Sequence, residues 1–271
     1  MQSLSSNRII KKYWVIENSN NEYDRLTKPM ISDGCVEIMI LEGNKISMKI
    51  NEEEQTYLPG LYVAGQLNGM TELRLYPSTK IHFLKLYPWV NPILTNFYLV
   101  DITNRCIPLI ELNKSLDKKI KRYNPSTEIS KIIEVVIELL EYQSSTNANL
   151  NIILESCRKI LRDEQDFQII KKEILQDFNI SAKTLENKFK RHIGLTPKQF
   201  SMTIRMRKVV EELIYNRTSE SLTTIAHKNG FFDQSHFIRS FRALLGAAPT
   251  QLALDSYFIP NSDEHFRFYT I

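Results

Sequence analysis

One twelve-residue pattern occurs twice in this chain. Phe189-Lys190-Arg191-His192-Ile193-Gly194-Leu195-Thr196-Pro197-Lys198-Gln199-Phe200 recurs 52 residues later, without a gap, as Phe241-Arg242-Ala243-Leu244-Leu245-Gly246-Ala247-Ala248-Pro249-Thr250-Gln251-Leu252. The shared frame is phenylalanine, a base, two variable positions, an aliphatic, glycine, a variable position, a small residue, proline, a variable position, glutamine and an apolar residue. Upstream, Leu185 matches Phe237 and Ser181 matches Asp233, so each copy begins with a residue suited to capping a helix. A fixed internal offset constrains the fold strongly, because both copies must form the same supersecondary unit.

The second copy, with the residues before it, spans 221–252 and shows what that unit is. Leu222, Ile225 and Ala226, and then Phe237, Phe241, Leu244 and Leu245, have the i, i+3, i+4 spacing of a helix face. Gly230 falls where the first helix should stop, in a conformation glycine takes readily. Asp233 is placed as the N-cap of the second helix. Two helices across a tight turn are an ordinary packing unit and also the frame that sets a helix in a DNA groove. Between the copies one helix is expected over residues 196–216, with Pro197 in its first turn. At ~1.5 Å per residue it spans ~30 Å, close to the ~34 Å repeat of a DNA turn. Such a spacer can present two recognition helices to successive major grooves.

Charge supports a phosphate-facing surface locally. The net charge of +4 is mild. Residues 181–208, however, hold eight bases (Lys183, Lys188, Lys190, Arg191, Lys198, Arg205, Arg207, Lys208) against one acid, Glu186. That excess fits a nucleic-acid footprint, while any single residue in it also fits a solvated helix face. Opposite Leu185 and Phe189 lie Lys183, Glu186, Asn187 and Lys190; opposite Phe237 and Phe241 lie Ser235, Ile238, Arg239 and Arg242. Arg239 suits guanine, Asn187 adenine and Glu186 cytosine. Lys190, Arg191 and Arg242 suit phosphates.

The first third reads as strands. Apolar runs at 36–41, 46–50, 61–64, 73–76 and 81–86 alternate with turn residues such as Asp33-Gly34, Gly43-Asn44, Pro59-Gly60, Asn68-Gly69 and Pro77-Ser78. An antiparallel sandwich or small barrel follows, a cupin-like form among them. His82 is the only histidine before His192, and Glu52, Glu53 and Glu54 are best placed at a solvated hairpin end. Neither a metal cluster, a nucleophile elbow nor a phosphate loop is present in sequence. The expectation is a non-enzyme without cofactor or metal. Tyr57, Tyr62, Tyr76, Phe83, Tyr87, Trp89, Phe97 and Tyr98 either fill cores or line an apolar pocket.

No apolar run approaches the ~20 residues of a membrane span, and the first residues lack a secretory signal. Cys35, Cys106 and Cys157 are odd in number and far apart, which speaks for reduced thiols in a cytoplasmic protein. A short helix is expected over 91–98. An amphipathic helix over 128–142 is expected to pack on the first domain and share part of its face with a partner subunit. Residues 143–149 read as a linker and 150–161 as another helix. The resulting division is a β-rich sensory or dimerisation domain (1–124), helix and linker (125–149), a tandem helix-turn-helix domain (150–256) and an aromatic tail (257–271) suited to docking on something apolar. The fold class is thus α+β in two domains, the C-terminal one all-α.

These residues resemble the DNA-binding domain of AraC/XylS-type bacterial transcriptional regulators. The resemblance rests on Ile225-Ala226, Gly230-Phe231, Gln234-Ser235-His236-Phe237, Arg239-Ser240-Phe241-Arg242 and Gly246-Ala247-Ala248-Pro249, with Arg205 in the linker helix, and covers roughly 150–252. It departs at Leu175, where a small residue is usual, at Asn179 in place of glycine, and at Val209 in place of alanine. Overpacking at such crossings costs ~1–3 kcal/mol. Residues 25–89 resemble more weakly an N-terminal domain of unknown role in some such regulators, through Ile31-Ser32-Asp33-Gly34-Cys35-Val36-Glu37 and Gly65-Gln66. The resemblance implies a sequence-specific regulator of double-stranded DNA, activator or repressor, with an N-terminal domain that binds a small-molecule effector or forms a homodimer. The alternative is a partner-binding interaction module whose degenerate first unit has no sequence preference.

Overall fold

Both faces of the main sheet are covered, which is why its strands read as nearly continuous apolar runs. The computed structural model describes residues 9–19, 26–30, 32–69, 71–144, 150–162, 167–215, 220–231, 233–246, 248–251 and 266–269. Its strands are β1 (Ile10–Asn18), β2 (Leu26–Met30), β3 (Val36–Gly43), β4 (Ile46–Ile50), β5 (Glu53–Tyr57), β6 (Gly60–Ala64), β7 (Thr71–Leu75), β8 (Thr79–Leu86), β9 (Cys106–Pro108) and β10 (Phe266–Tyr269). They form a six-stranded sheet ordered β10-β1-β8-β3-β6-β9 and a four-stranded sheet ordered β2-β7-β4-β5. The expected antiparallel sandwich is what forms.

Period-two alternation divides the six-stranded sheet. Trp14, Ile16, Met39, Leu41, Ile81 and Phe83 face the second sheet and meet Ile46, Met48, Leu73 and Leu75 there. Trp14 stacks on Phe83, its cross-strand partner, at 4.0 Å between ring centroids, so this space is filled by side chains. Tyr13, Val15, Val36, Ile38, Ile40, Leu84 and Leu86 take the other face, towards the helices. The eight aromatics do not converge: Phe83 and Tyr57 are in the inter-sheet core, Trp89 is on the helix side, and Phe97 and Tyr98 are exposed.

The helices are α1 (Asn91–Leu94), α2 (Leu109–Leu112), α3 (Lys114–Ile120), α4 (Ile129–Ser144), α5 (Leu150–Arg162), α6 (Phe167–Asp177), α7 (Ala182–His192), α8 (Pro197–Tyr215), α9 (Leu222–Lys228) and α10 (Gln234–Leu245). The helix expected over 91–98 stops at Leu94, because Thr95 is extended and its Oγ1 accepts the Phe97 N–H. Among the described residues no helix is long and apolar enough to cross a membrane. The three cysteines are free and buried.

One core runs from the sheet through α4 (Ile132, Val136, Leu140), α5 (Ile153, Cys157), α6 (Ile170, Ile174) and α7 (Leu185, Phe189) to Phe200 and Ile204 of α8. A separate core joins Met206, Val209 and Val210 of α8 to Ile225, Ala226, Phe231, Phe237, Phe241 and Leu245. Apolar packing therefore continues across the expected linker and separates within α8, whose two faces serve two cores. Residues 145–149 of that linker lie outside the described residues, as do Tyr257 and Phe258 of the tail. The last strand, β10, adds to the sheet edge by pairing antiparallel with β1, Tyr13 opposite Tyr269 and Ile16 opposite Phe266.

Candidate nucleic-acid interface

The two helix-turn-helix units close their turns in the same way. Ile180 N–H donates to the Leu175 carbonyl (3.2 Å), and Phe231 N–H donates to the Ala226 carbonyl (3.0 Å). These are the six-to-one bonds of a Schellman ending, which needs one left-handed residue. Gly230 supplies it in the second unit (φ 76°) and Asn179 in the first (φ 47°). Asparagine tolerates that region better than most residues, so the departure from glycine leaves the turn intact. Leu175 is partly buried against the first core. Val209 is fully buried in the other core and is accommodated there.

The second helix of each unit starts at the expected cap. Ser181 Oγ accepts the Thr184 N–H (3.0 Å) at α7, and Asp233 Oδ1 accepts the His236 N–H (2.7 Å) at α10. Leu185, Phe189, Phe237 and Phe241 are buried, which turns the opposite faces outward. Lys183, Asn187 and Arg191 of α7 are exposed, and Glu186 and Lys190 half-buried; on α10 Ser235, Arg239 and Arg242 are exposed. Gln234, the first residue of α10, is exposed as well. Its place directly after the cap makes it a further candidate, since an amide there can pair with adenine.

Several of these side chains are already engaged. Lys190 Nζ lies 2.7 Å from Glu186 Oε1, and this bond holds the Glu186 carboxyl below its ordinary range. Arg239 Nε donates back to the Ser235 carbonyl at 3.3 Å. Within the basic stretch 181–208 some side chains serve the fold. Arg205 Nη1 donates to the Gly230 carbonyl (2.9 Å), bracing the turn of the second unit. Asn229 Nδ2 donates to Glu212 Oε2 (2.9 Å), so α8 holds that turn twice. Arg207 pairs with Glu211 at 2.6 Å.

Arg207 also adds to the field on a buried ion cluster in the β-domain. Asp33 Oδ2 is 3.0 Å from Lys85 Nζ and 3.2 Å from Lys11 Nζ, while Lys85 Nζ is 3.0 Å from Glu37 Oε1. Burial opposes ionisation of Asp33, but Lys85 and Lys11 outweigh it and hold the carboxyl well below the usual range. Burial likewise opposes charge on Lys85, and Asp33 and Glu37 outweigh it. The Cys35 thiol beside them is pushed up to about 12, chiefly by burial and then by Asp33.

His192 closes α7 and is buried. Burial, then Arg191 and Lys188, lower its pKa from 6.5 to about 4. The folded protein binds this proton less readily than the unfolded chain, so the neutral ring favours folding above pH 6.5. That contribution is lost as pH falls from 6.5 to about 4. The urea midpoint is expected to drop across this window, and His192→Gln is expected to flatten the drop. An unchanged pH profile in the variant would remove His192 as its source.

Among the described residues no cluster of three or more histidine, cysteine or carboxylate side chains is placed to hold a metal ion. A family model described as a helix-turn-helix domain matches residues 174–254, and one described as a domain of unknown function (DUF6597) matches residues 5–108. The HTH-type transcriptional activator RhaS of Pectobacterium atrosepticum is 33% identical over 79 residues, 29% of this chain and 28% of that activator. RhaS of Enterobacter sp. (strain 638) is 30% identical over 114 residues, 42% of this chain and 39% of the activator. The chain thus spans under half the length of these activators. Among solved structures, ToxT from Vibrio cholerae with an unsaturated fatty acid bound is similar at a TM-score of 0.46 and 12% identity, over 92% of this chain and 96% of that one.

Proposed function

By its C-terminal helix-turn-helix domain the chain belongs to the AraC/XylS-type regulators, and from that premise we propose that it binds double-stranded DNA sequence-specifically and regulates transcription. The observation that carries this reading is the repeated geometry: two capped helices with a buried stripe, each turning a polar face outward behind the same turn. Arg239, Gln234 and Asn187 are the side chains for base edges, and Lys183, Lys190, Arg191 and Arg242 those for phosphates. The rival reading, an interaction module with a degenerate first unit, rests on Leu175 and Asn179, and its support weakens at Asn179, which takes the left-handed conformation.

Selection of bound sequences from a random duplex library tests the proposal. A defined consensus is expected; recovery of random sequence would favour the rival. The same selection reports stoichiometry. On α4, Ile133 and Ile137 are only partly covered and Tyr142 is exposed, and paired sites are the outcome expected of a homodimer joined there. Arg239→Ala is expected to cost about 1–3 kcal/mol in affinity and to relax one base position. Lys190→Ala is expected to weaken binding to all sequences alike and lower the salt slope by about 1. Even loss across all sequences for Arg239→Ala would take base reading away from that residue.

In this reading the N-terminal domain modulates binding. An effector or partner that binds there must favour one arrangement of the reading heads over another, since equal affinity for both shifts nothing.

A further inference from the structure

The sequence cue of the N-terminal domain, Ser32 to Glu37 with Gly65-Gln66, is used at one place in the fold. Gln66 is 1% exposed. Its Nε2 donates to the carbonyls of Gly34 (2.8 Å) and Cys35 (3.2 Å), and its Oε1 accepts from Ser32 Oγ (3.2 Å). Gly34, shaped by that brace, has φ +75°, and a Cβ on it would stand 2.5 Å from Cε2 of Phe200 and 3.4 Å from Cδ1 of Ile204, both in α8. The chain thus has both a conformational and a spatial reason for glycine there.

The opposite side is built to match. Gly194, which ends α7 with φ +84°, would place a Cβ 3.0 Å from the Leu99 carbonyl and 3.4 Å from Cγ of Gln66. Thr103 Oγ1 donates to the Gly194 carbonyl at 3.5 Å. Phe200 is fully buried and sits edge-on to Phe189 of α7 at 5.9 Å. At the rim the Arg191 guanidinium lies 4.6 Å over the Tyr98 ring and its Nη1 donates to the Tyr98 hydroxyl at 3.3 Å. The contact pairs one glycine from each side with the large side chains or backbone of the other, the pattern of two surfaces shaped for close approach.

We infer that the domain of unknown function is a docking module whose partner is its own chain, namely the end of α7 and the first half of α8. The docking surface is Ser32–Cys35 with Gln66. The grip makes the first helix-turn-helix unit one body with the N-terminal domain. It also holds Arg191 on Tyr98, where a DNA phosphate has to compete for the same guanidinium. This last step rests on the DNA-binding reading; the docking does not.

Amide hydrogen exchange on the full chain, with duplex binding measured at several salt concentrations, tests both parts. Gln66→Ala leaves the Gly34 and Cys35 carbonyls without their partner, and is expected to speed exchange at the end of α7 and in the first half of α8 about tenfold, with α10 unchanged. Phe200→Leu approaches the same contact from α8 and is expected to give the same local signature, should Gln66→Ala fail to fold. Wild-type exchange in α8, or equal acceleration in α8 and α10, overturns the docking assignment. Tyr98→Ala is expected to leave exchange unaltered, tighten binding to any duplex about threefold and steepen the salt slope by about 1. An unchanged salt slope overturns the competition for Arg191. If the wild-type chain binds no duplex, the DNA reading falls while the exchange arm still decides the docking.

Discussion

Asp33→Ala is expected to destabilise the protein by about 3–5 kcal/mol at neutral pH, the usual cost of breaking a buried ion pair from one side. Asp33 is 8% exposed and accepts from two ammonium groups through one oxygen. Removing it strands Lys85, whose side chain is 15% exposed and keeps only Glu37 as an opposite charge among its closest partners. Lys11 is more exposed, so its share is small. The other carboxylate oxygen accepts the Cys35 N–H at 3.2 Å, and that turn bond goes as well. Asp33→Asn keeps an oxygen for Cys35 and is expected to lose less. Urea unfolding at pH 7 measures both variants, and a loss under about 1 kcal/mol for the alanine would show the cluster to be energetically idle. The acid limb supplies the sign. Because the folded carboxyl titrates below the unfolded value of 3.8, its stabilisation is present above that pH and disappears as pH falls through the folded value. The variant is expected to lack that component of acid unfolding.

Phe241→Ala is expected to cost about 3–5 kcal/mol, and to spend all of it in the second helix-turn-helix unit. Phe241 is fully buried and meets Phe237 edge-on at 5.6 Å. Its core shares α8 with the rest of the apolar packing and none of the β-sandwich. The variant should therefore unfold in two steps, with α10 losing exchange protection while β3, β8 and α7 keep theirs. Such behaviour departs from the all-or-none unfolding of a single core. One cooperative transition, shifted as a whole, would mean that the two cores are energetically one. Under the proposed DNA-binding function, sequence-specific binding is expected to fall with α10, since Arg239 loses its platform.

Much of this was legible from residue order. The caps Ser181 and Asp233, the buried stripes of α7 and α10 and the length of α8 all follow from local rules, because both partners of each interaction lie within a turn or two. Strands β3, β4, β6, β7 and β8 were bounded by turn residues that read directly. The strands without a local signature are β1, covered on both faces, β2 and β9, which are short and each contain a proline, β5, which is largely polar, and β10, whose partner lies at the far end of the chain. Arg205 was counted with the phosphate-facing bases because its actual acceptor, the Gly230 carbonyl, is 25 residues away. Asp33-Gly34 read correctly as a turn. That the turn also holds a buried charge and admits Phe200 depends on contacts no window of sequence contains.

The pairing of β10 with β1 makes the second unit part of a closed ring. Between α8 and β10 the chain runs through residues 216–265; the first half of α8 packs in the main core and β10 pairs with β1, so the chain leaves one body and returns to it. Closing such an arc becomes only slowly dearer with length, so a four-residue strand can release and re-pair without the ends drifting far. Released, the strand stays at the high local concentration that a tether imposes, and the bare backbone of β1 becomes an open sheet edge. Release of β10 would therefore open the β1 edge and loosen the return anchor of the second unit in the same event.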